Sequence, residues 1–157
     1  MPLNQALVGK AYPAVRYEVG REKLREFAIA VGETDPIYHD EAAARAAGHP
    51  DIPAVPTFAV VLSLRAGQVV YGDPELGLDY SRVVHGEQEF VYHRQPKVGD
   101  VLEGTARISD VYEKDSSSAL MEFYVMETSW KDASSGAPVC DARFTLIVRD
   151  TGIKKDA

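Results

Sequence analysis

The amino-acid sequence predicts one α+β domain in which an antiparallel sheet curves around a single buried helix. A helix that is apolar on nearly all sides occupies the middle of the chain, and four segments with a two-residue period follow it, joined by short polar turns. A length of 157 residues suits a single domain. We expect that domain over residues 1–150 and a disordered polar tail over residues 151–157.

The first part of the chain predicts a short strand followed by two helices. Apolar residues alternate between Ala11 and Val19, which indicates the strand. The segment REKLREFAIAV then places apolar residues at helical spacing, and Gly32 and Pro36 end this amphipathic helix. Asp40 can cap a second, short helix with the sequence EAAARAA.

The central helix follows a constrained loop with three prolines between Pro50 and Pro56. Thr57 can act as its N-cap, and the next residues leave almost no polar face. A helix of this kind is surrounded by lipid or by protein, and the apolar stretch PTFAVVLSLRAGQVVY is too short to span a bilayer. We therefore expect protein around it, while Arg65 either carries its charge outward or places it at a subunit interface or acyl channel.

The second half of the chain predicts an antiparallel meander. From about Val83 the hydrophobic period is two, in four segments separated by the turns PKVGD, KDSSS and KDASSG. The first segment presents two faces, one with Val84, Phe90 and Tyr92, the other with His85, Glu87, Glu89 and His93. Such a sheet wrapped around one helix, with the first strand added, is the hot-dog architecture.

The composition narrows the classes of function. A net charge of −7, with no basic run beyond Lys154-Lys155, argues against a nucleic-acid surface. The N-terminus lacks the pattern of a secretory signal, so we expect a soluble, cytoplasmic protein. Cys140 is the only cysteine and shares the apolar face of its segment, which favours a small buried side chain over a nucleophile.

No cofactor and no metal are expected. The sequence contains no Gly-rich phosphate loop and no serine nucleophile motif. His85 and His93 share a face with Glu87 and Glu89, but eight residues separate the two histidines. That spacing is about 26 Å along an extended strand, too far for one ion. A polar face exposed to water or to a partner subunit is the better interpretation.

The segment VGETDPIYHD, residues 31–40, concentrates groups suited to acid–base chemistry. Four candidates lie within eight residues: Glu33, Asp35, His39 and Asp40. A histidine and a carboxylate can together remove an α-proton and protonate a departing hydroxyl. The alternative is structural, with Asp35-Pro36 forming a turn, Asp40 capping a helix and His39 solvated. The residues alone leave both interpretations open.

This segment and its surroundings resemble the MaoC-like, or R-specific, enoyl hydratase/dehydratase family. The resemblance rests on Gly-acid-x-Asx-Pro-aliphatic at residues 32–37, a following histidine, an Ala-rich helix, the proline-rich loop, the apolar helix and a Pro-x-x-Gly-Asp turn at residues 96–100. The family pattern implies a catalytic Asp and His. Glu33 stands at the Asp position, Asp35 at an Asn position and Tyr38 at the His position, while His39 comes one residue late. Adjacent side chains of an extended segment point to opposite sides, so this offset implies a degraded dyad.

The longer stretch YEVGREKLREFAIAVGETDPIYHDE is similar to one branch of that family. The branch comprises the non-catalytic subunits of heterodimeric (3R)-hydroxyacyl-ACP dehydratases of actinobacteria, and the FAS1-like dehydratase domain is a further relative. The similarity implies a subunit that binds acyl-ACP or acyl-CoA thioesters in fatty-acid metabolism, in a homodimer or in a heterodimer with a catalytic MaoC-like chain. The family's oxyanion donor is a backbone N–H at the start of the central helix, which implies substrate contacts at Pro56, Thr57 and Phe58, with Tyr38 nearby.

Two alternatives remain. The first is a self-sufficient homodimeric dehydratase, in which a bulge brings His39 beside Glu33 or Asp35 as the catalytic pair. The second is a non-enzymatic acyl-binding or scaffold protein. A hot-dog thioesterase is disfavoured, because those enzymes usually carry a carboxylate on or near the central helix and residues 57–71 contain none.

Overall fold

The computed structural model of the chain describes residues 3–115 and 120–149, so the tail predicted for residues 151–157 lies outside the described residues. The helices are α1 (Arg21–Ala30), α2 (Glu41–Ala46) and α3 (Ala59–Tyr71). The strands are β1 (Val15–Glu18), β2 (Val83–Tyr92), β3 (Val101–Asp115), β4 (Leu120–Asp132) and β5 (Pro138–Arg149). Short 3₁₀ turns cover Gln5–Leu7, Pro36–Tyr38, Pro74–Leu76 and Tyr80–Arg82.

The strands form one antiparallel sheet in the order β1-β3-β4-β5-β2. One face of the sheet packs against α3 to form the core, whose largest fully buried side chains include Phe58, Leu62, Ile108, Met126, Trp130 and Phe144. The predicted α+β hot-dog architecture is confirmed. Cys140 is 1% exposed, as predicted for a small core side chain, and burial raises the pKa of its thiol to about 12.

The central helix differs from its prediction in two respects. It begins after Phe58 rather than after Thr57, and no side chain caps it, because Thr57 still belongs to the preceding turn. It is also open along one flank, where Leu64 is 47% exposed. Arg65 is exposed on this flank in the single chain and donates to the side-chain oxygen of Gln68 at 2.8 Å. No helix in residues 3–115 or 120–149 is long and apolar enough to cross a membrane.

A β-bulge in β2 corrects the predicted faces of that strand. The register shifts between His85 and Glu87, so that Gly86 is the extra residue. His85 therefore lies on the inner face, where its ring stacks on Phe144 at a centroid distance of 5.9 Å. Glu87 and Glu89 remain on the outer face. The predicted faces were therefore wrong for two residues: His85 does not share a face with Glu87 and Glu89, and Val84 does not share one with Phe90 and Tyr92, because the bulge reverses the alternation.

Candidate active site

The segment that suggested acid–base chemistry forms the connection between α1 and α2. Gly32 ends α1 with a φ of +74°, a conformation that favours glycine. The next residue turns back onto the helix, because the Glu33 N–H donates to the carbonyl of Ala28 at 2.9 Å. The chain then enters the 3₁₀ turn Pro36–Tyr38 and reaches α2 through His39 and Asp40.

The three carboxylates of this segment bind the backbone of the segment itself. The Glu33 carboxylate accepts hydrogen bonds from the N–H groups of Thr34 at 2.9 Å and Asp35 at 3.0 Å. Asp35 caps the 3₁₀ turn by accepting from the Ile37 N–H at 3.1 Å. Asp40 caps α2 by accepting from the Ala43 N–H at 2.7 Å. The turn and capping roles that the sequence allowed for Asp35 and Asp40 are thus observed.

The His39 imidazole binds a backbone carbonyl. Its Nε2 lies 2.7 Å from the carbonyl oxygen of Glu33. Because a carbonyl oxygen only accepts, Nε2 carries the proton, and in the neutral ring the basic lone pair is on Nδ1. The His39 carbonyl in turn accepts from Nε of Arg25 at 2.9 Å, which fixes this end of the turn to α1. Within residues 3–115 and 120–149, no hydrogen bond or ion pair joins the His39 ring to a carboxylate.

Tyr38, at the position where the family pattern has histidine, is half-buried. Desolvation raises the pKa of its phenol, and the negative charges of Glu33 and Asp35 raise it further. Tyr38 is therefore protonated at neutral pH, and its hydroxyl can donate a hydrogen bond but cannot serve as a base.

The second predicted element lies at the start of α3. Pro56 and Thr57 are exposed, whereas the Phe58 side chain is fully buried and packs edge-on against Phe27 at 5.4 Å between ring centroids. This aromatic contact links α1 to the start of α3. Among the described residues, no hydrogen bond connects residues 33–40 with residues 56–59.

Tyr92 is a site residue that sequence reasoning missed. Its hydroxyl donates to the carbonyl of Pro56 and accepts from the N–H of Ala59 at 3.4 Å. One phenol thus joins the last proline of the loop to the first residue of α3. No local pattern could have identified this contact, since 33 residues separate Ala59 from Tyr92. The backbone N–H of Ala59, the first residue of α3, therefore already has a hydrogen-bond partner within the chain.

A cluster of ion pairs positions the connection between α1 and α2 and the loop that leads into α3. Arg21, at the start of α1, binds Asp51 of the proline-rich loop through both carboxylate oxygens, at 3.0 and 2.6 Å. The Arg21 guanidinium holds the pKa of Asp51 at about 2. Glu41 of α2 pairs with three arginines, namely Arg21 at 3.4 Å, Arg25 at 3.6 Å and Arg45 at 3.2 Å. These contacts join α1, α2 and the loop that leads into α3.

Comparison with known proteins agrees with the architecture. The family described as "FAS1-like, dehydratase domain region" matches residues 6–142. A relative from Saccharopolyspora erythraea, named UPF0336 protein, is 46% identical over 152 residues, which make up 96% of this chain and 94% of the relative.

Solved structures extend the comparison. The chain matches a structure of the C-terminally truncated HadBC (3R-hydroxyacyl-ACP dehydratase) complex from Mycobacterium tuberculosis with a TM-score of 0.72 and 29% identity, over 90% of this chain and 96% of that chain. Two matches at 24% identity share the fold. One is a MaoC-like dehydratase, with a TM-score of 0.78 over 94% of this chain and 43% of that chain. The other is the ChsH1–ChsH2 complex of Mycobacterium tuberculosis, with a TM-score of 0.68 over 91% of each chain.

Proposed function

Since this chain belongs to the family of FAS1-like dehydratase domains, we propose that it is the non-catalytic subunit of a (3R)-hydroxyacyl thioester dehydratase or enoyl hydratase in fatty-acid metabolism. The observation that carries the proposal is the hydrogen bond from Nε2 of His39 to the backbone carbonyl of Glu33 at 2.7 Å. It fixes the only imidazole of the loop through Nε2 in a contact with the backbone, and no carboxylate among the described residues is bonded to the ring.

The chemistry of the family needs a carboxylate beside the histidine, and the loop offers none that is free for this role. Removing water from a 3-hydroxyacyl thioester needs a base for the α-proton and an acid for the hydroxyl, both within hydrogen-bond reach of the substrate. Glu33 and Asp35 bind the amides of their own turn, and Tyr38 is protonated. Three carboxylates within this short segment also oppose the negative charge that develops on an enolate.

The start of α3 supports the same proposal. An oxyanion is stabilised by N–H donors that point at the developing charge. Here the Phe58 N–H donates to the carbonyl of Val55 at 2.8 Å, and the Ala59 N–H points at the hydroxyl of Tyr92. We therefore assign Pro56, Thr57 and Tyr38 to the wall of an acyl channel rather than to a catalytic centre. Phe58, which is buried against Phe27, anchors this wall in the core.

A catalytic partner completes the proposal. HadBC is described as a complex and as a (3R)-hydroxyacyl-ACP dehydratase, and ChsH1–ChsH2 is also a complex. We propose that this chain likewise assembles with a MaoC-like subunit that supplies an intact Asp and His. Such a partner would cover the open flank of α3 around Leu64 and the edge of β2 that pairs with no strand among the described residues. The substrate is an acyl-ACP or acyl-CoA thioester.

The test is hydration of crotonyl-CoA, measured for the purified chain alone, for a MaoC-like protein from the same source alone, and for their mixture. We expect no turnover by this chain alone and turnover by the mixture well above that of the MaoC-like protein. A matched control replaces the dyad histidine of the MaoC-like protein by alanine, which should silence the mixture. Turnover by this chain alone would favour the self-sufficient alternative, and a mixture no faster than its partner would favour the scaffold alternative.

A further inference from the structure

The two edges of the sheet differ in length and in protection. At one edge β1 has only four residues, and the preceding segment continues its pairing with β3 through hydrogen bonds between Gly9 and Ile108 at 2.8 Å and between Tyr12 and Ala106 at 2.9 Å. At the other edge β2 has ten residues and pairs on one side only, with β5, among the residues described. A long edge strand with free backbone groups is a template for another strand.

The outer face of this open edge is acidic. Glu87 and Glu89 are both exposed, and they pair across the sheet with Thr145 and Arg143 of β5. Glu89 ends a row of alternating charge that runs through Arg143, Glu127 and Arg107. The far end of the row is an ion pair, with Nε of Arg107 at 3.0 Å from the Glu127 carboxylate. If a strand of another protein paired with β2, its residue opposite Glu89 would continue this row. The alternation of charge favours a lysine or arginine at that position.

A second copy of the chain does not supply that cation. Two copies of β2 that pair antiparallel about a two-fold axis at Gln88 place Glu87 of each chain opposite Glu89 of the other, on the same face. An axis at Glu87 or at Glu89 places that glutamate opposite itself. Like charges directly opposite across two strands are only about 5 Å apart at Cβ and destabilise the pairing.

The other symmetric registers of two β2 strands place the axis on irregular backbone or pair only a part of the strand. An axis at Gly86 falls in the bulge, where the strand is irregular. An axis at Phe90 leaves only the residues from Gln88 to the end of the strand paired. Self-pairing over most of β2 is thus opposed by its own glutamates.

We propose that the edge of β2 rejects a second copy of this chain and docks a different protein whose edge strand carries lysine or arginine opposite Glu87 and Glu89. Val91, 49% exposed on the same face, adds an apolar contact for that partner strand. The proposal rests on the proposed function for the identity of the partner as a catalytic subunit. The charge selectivity itself is a property of the strand and is measurable without that partner.

The experiment uses a charge-reversed copy of the chain as the basic partner. The chain and its Glu87→Lys/Glu89→Lys variant are purified and examined by sedimentation velocity, each alone and as an equimolar mixture. We expect each to be monomeric alone, and the mixture to form a one-to-one dimer roughly tenfold to a hundredfold more stable than either self-association. Raising the salt to about 0.5 M should weaken the mixed dimer, because exposed charges are screened.

A Glu22→Lys/Glu26→Lys variant serves as the control, since these exposed glutamates lie on α1, away from the edge. Mixed with the unmodified chain, it should remain monomeric. Self-association of the unmodified chain as strong as that of the mixture would overturn the proposal, as would a mixture no more associated than the control. Either result would leave the turnover assay of the proposed function unaffected, because that assay uses the catalytic subunit itself.

Discussion

The imidazole of His39 is hydrogen-bonded through Nε2 to the backbone carbonyl of Glu33, 2.7 Å away, while the carboxylate of Glu33 turns to the amides of Thr34 and Asp35. The two side chains that the family pattern suggested as an acid–base pair thus both stabilise the same turn. The contact gives His39 a structural role that needs no substrate.

The hydroxyl of Tyr92 is expected to stabilise the junction between the proline-rich loop and α3. Removing it in Tyr92→Phe leaves the Pro56 carbonyl and the Ala59 N–H without this partner, which should lower the free energy of unfolding by about 1 kcal/mol. Urea denaturation measures the change, and hydrogen exchange at the Ala59 amide should accelerate. Tyr17→Phe is the matched control, since the Tyr17 hydroxyl has no hydrogen-bond partner among the described residues. Equal effects of both variants would refute the capping role.

Close packing of Trp130 on β3 makes Gly104 difficult to replace. A Cβ at position 104 would lie 2.5 Å from Cδ2 of the Trp130 indole, which is itself only 1% exposed. Gly104→Ala should therefore cost about 2–3 kcal/mol through displacement of the ring. Gly20→Ala should change stability by less than about 0.5 kcal/mol, because no atom lies within 4 Å of a Cβ there. Thermal or urea unfolding of both variants compares them directly, and a well-tolerated Gly104→Ala would contradict the packing.

The ion pair of Arg21 with Asp51 gives stability a defined pH dependence. The hydrogen bonds from Arg21, aided by the Ile52 amide, lower the pKa of Asp51 from 3.8 to about 2. Because the folded pKa lies below the unfolded one, the contribution is complete above about pH 4 and is lost as the pH falls toward 2. The stability difference between the unmodified chain and Asp51→Asn should shrink across that window in urea titrations. A difference that is constant from neutral to acidic pH would rule out this contribution.

The fold could be predicted because burial along β2–β5 and α1 is a local, periodic property. β3 and β5 show alternation, β4 shows the continuous apolar stretch of a central strand, and the turns between strands carry polar residues. The faces of the residues before Gly86 could not be predicted from those after it, because a bulge leaves no mark on composition, and a glycine there is equally compatible with a regular strand. The start of α3 was missed by one residue for a similar reason: Thr57 has the chemistry of an N-cap, but Phe58 is anchored in the core against Phe27.

The candidate site was predictable in position but not in geometry. Its residue types indicated a turn with a displaced histidine, and Asp35 and Asp40 cap as their positions suggest. Whether the imidazole meets a carboxylate or a carbonyl depends on backbone torsions that sequence spacing does not specify. The contact between Tyr92 and the start of α3 depends on the tertiary placement of β2, which no local motif encodes.

The most direct test of the central claim is the turnover of the reconstituted pair when this chain carries His39→Ala. If His39 only holds its turn, kcat for crotonyl-CoA hydration by the His39→Ala chain with its MaoC-like partner should stay within about twofold of the unmodified pair. Loss of about a hundredfold or more in kcat, with the complex still assembled, would mean that His39 is a catalytic residue and would contradict the account.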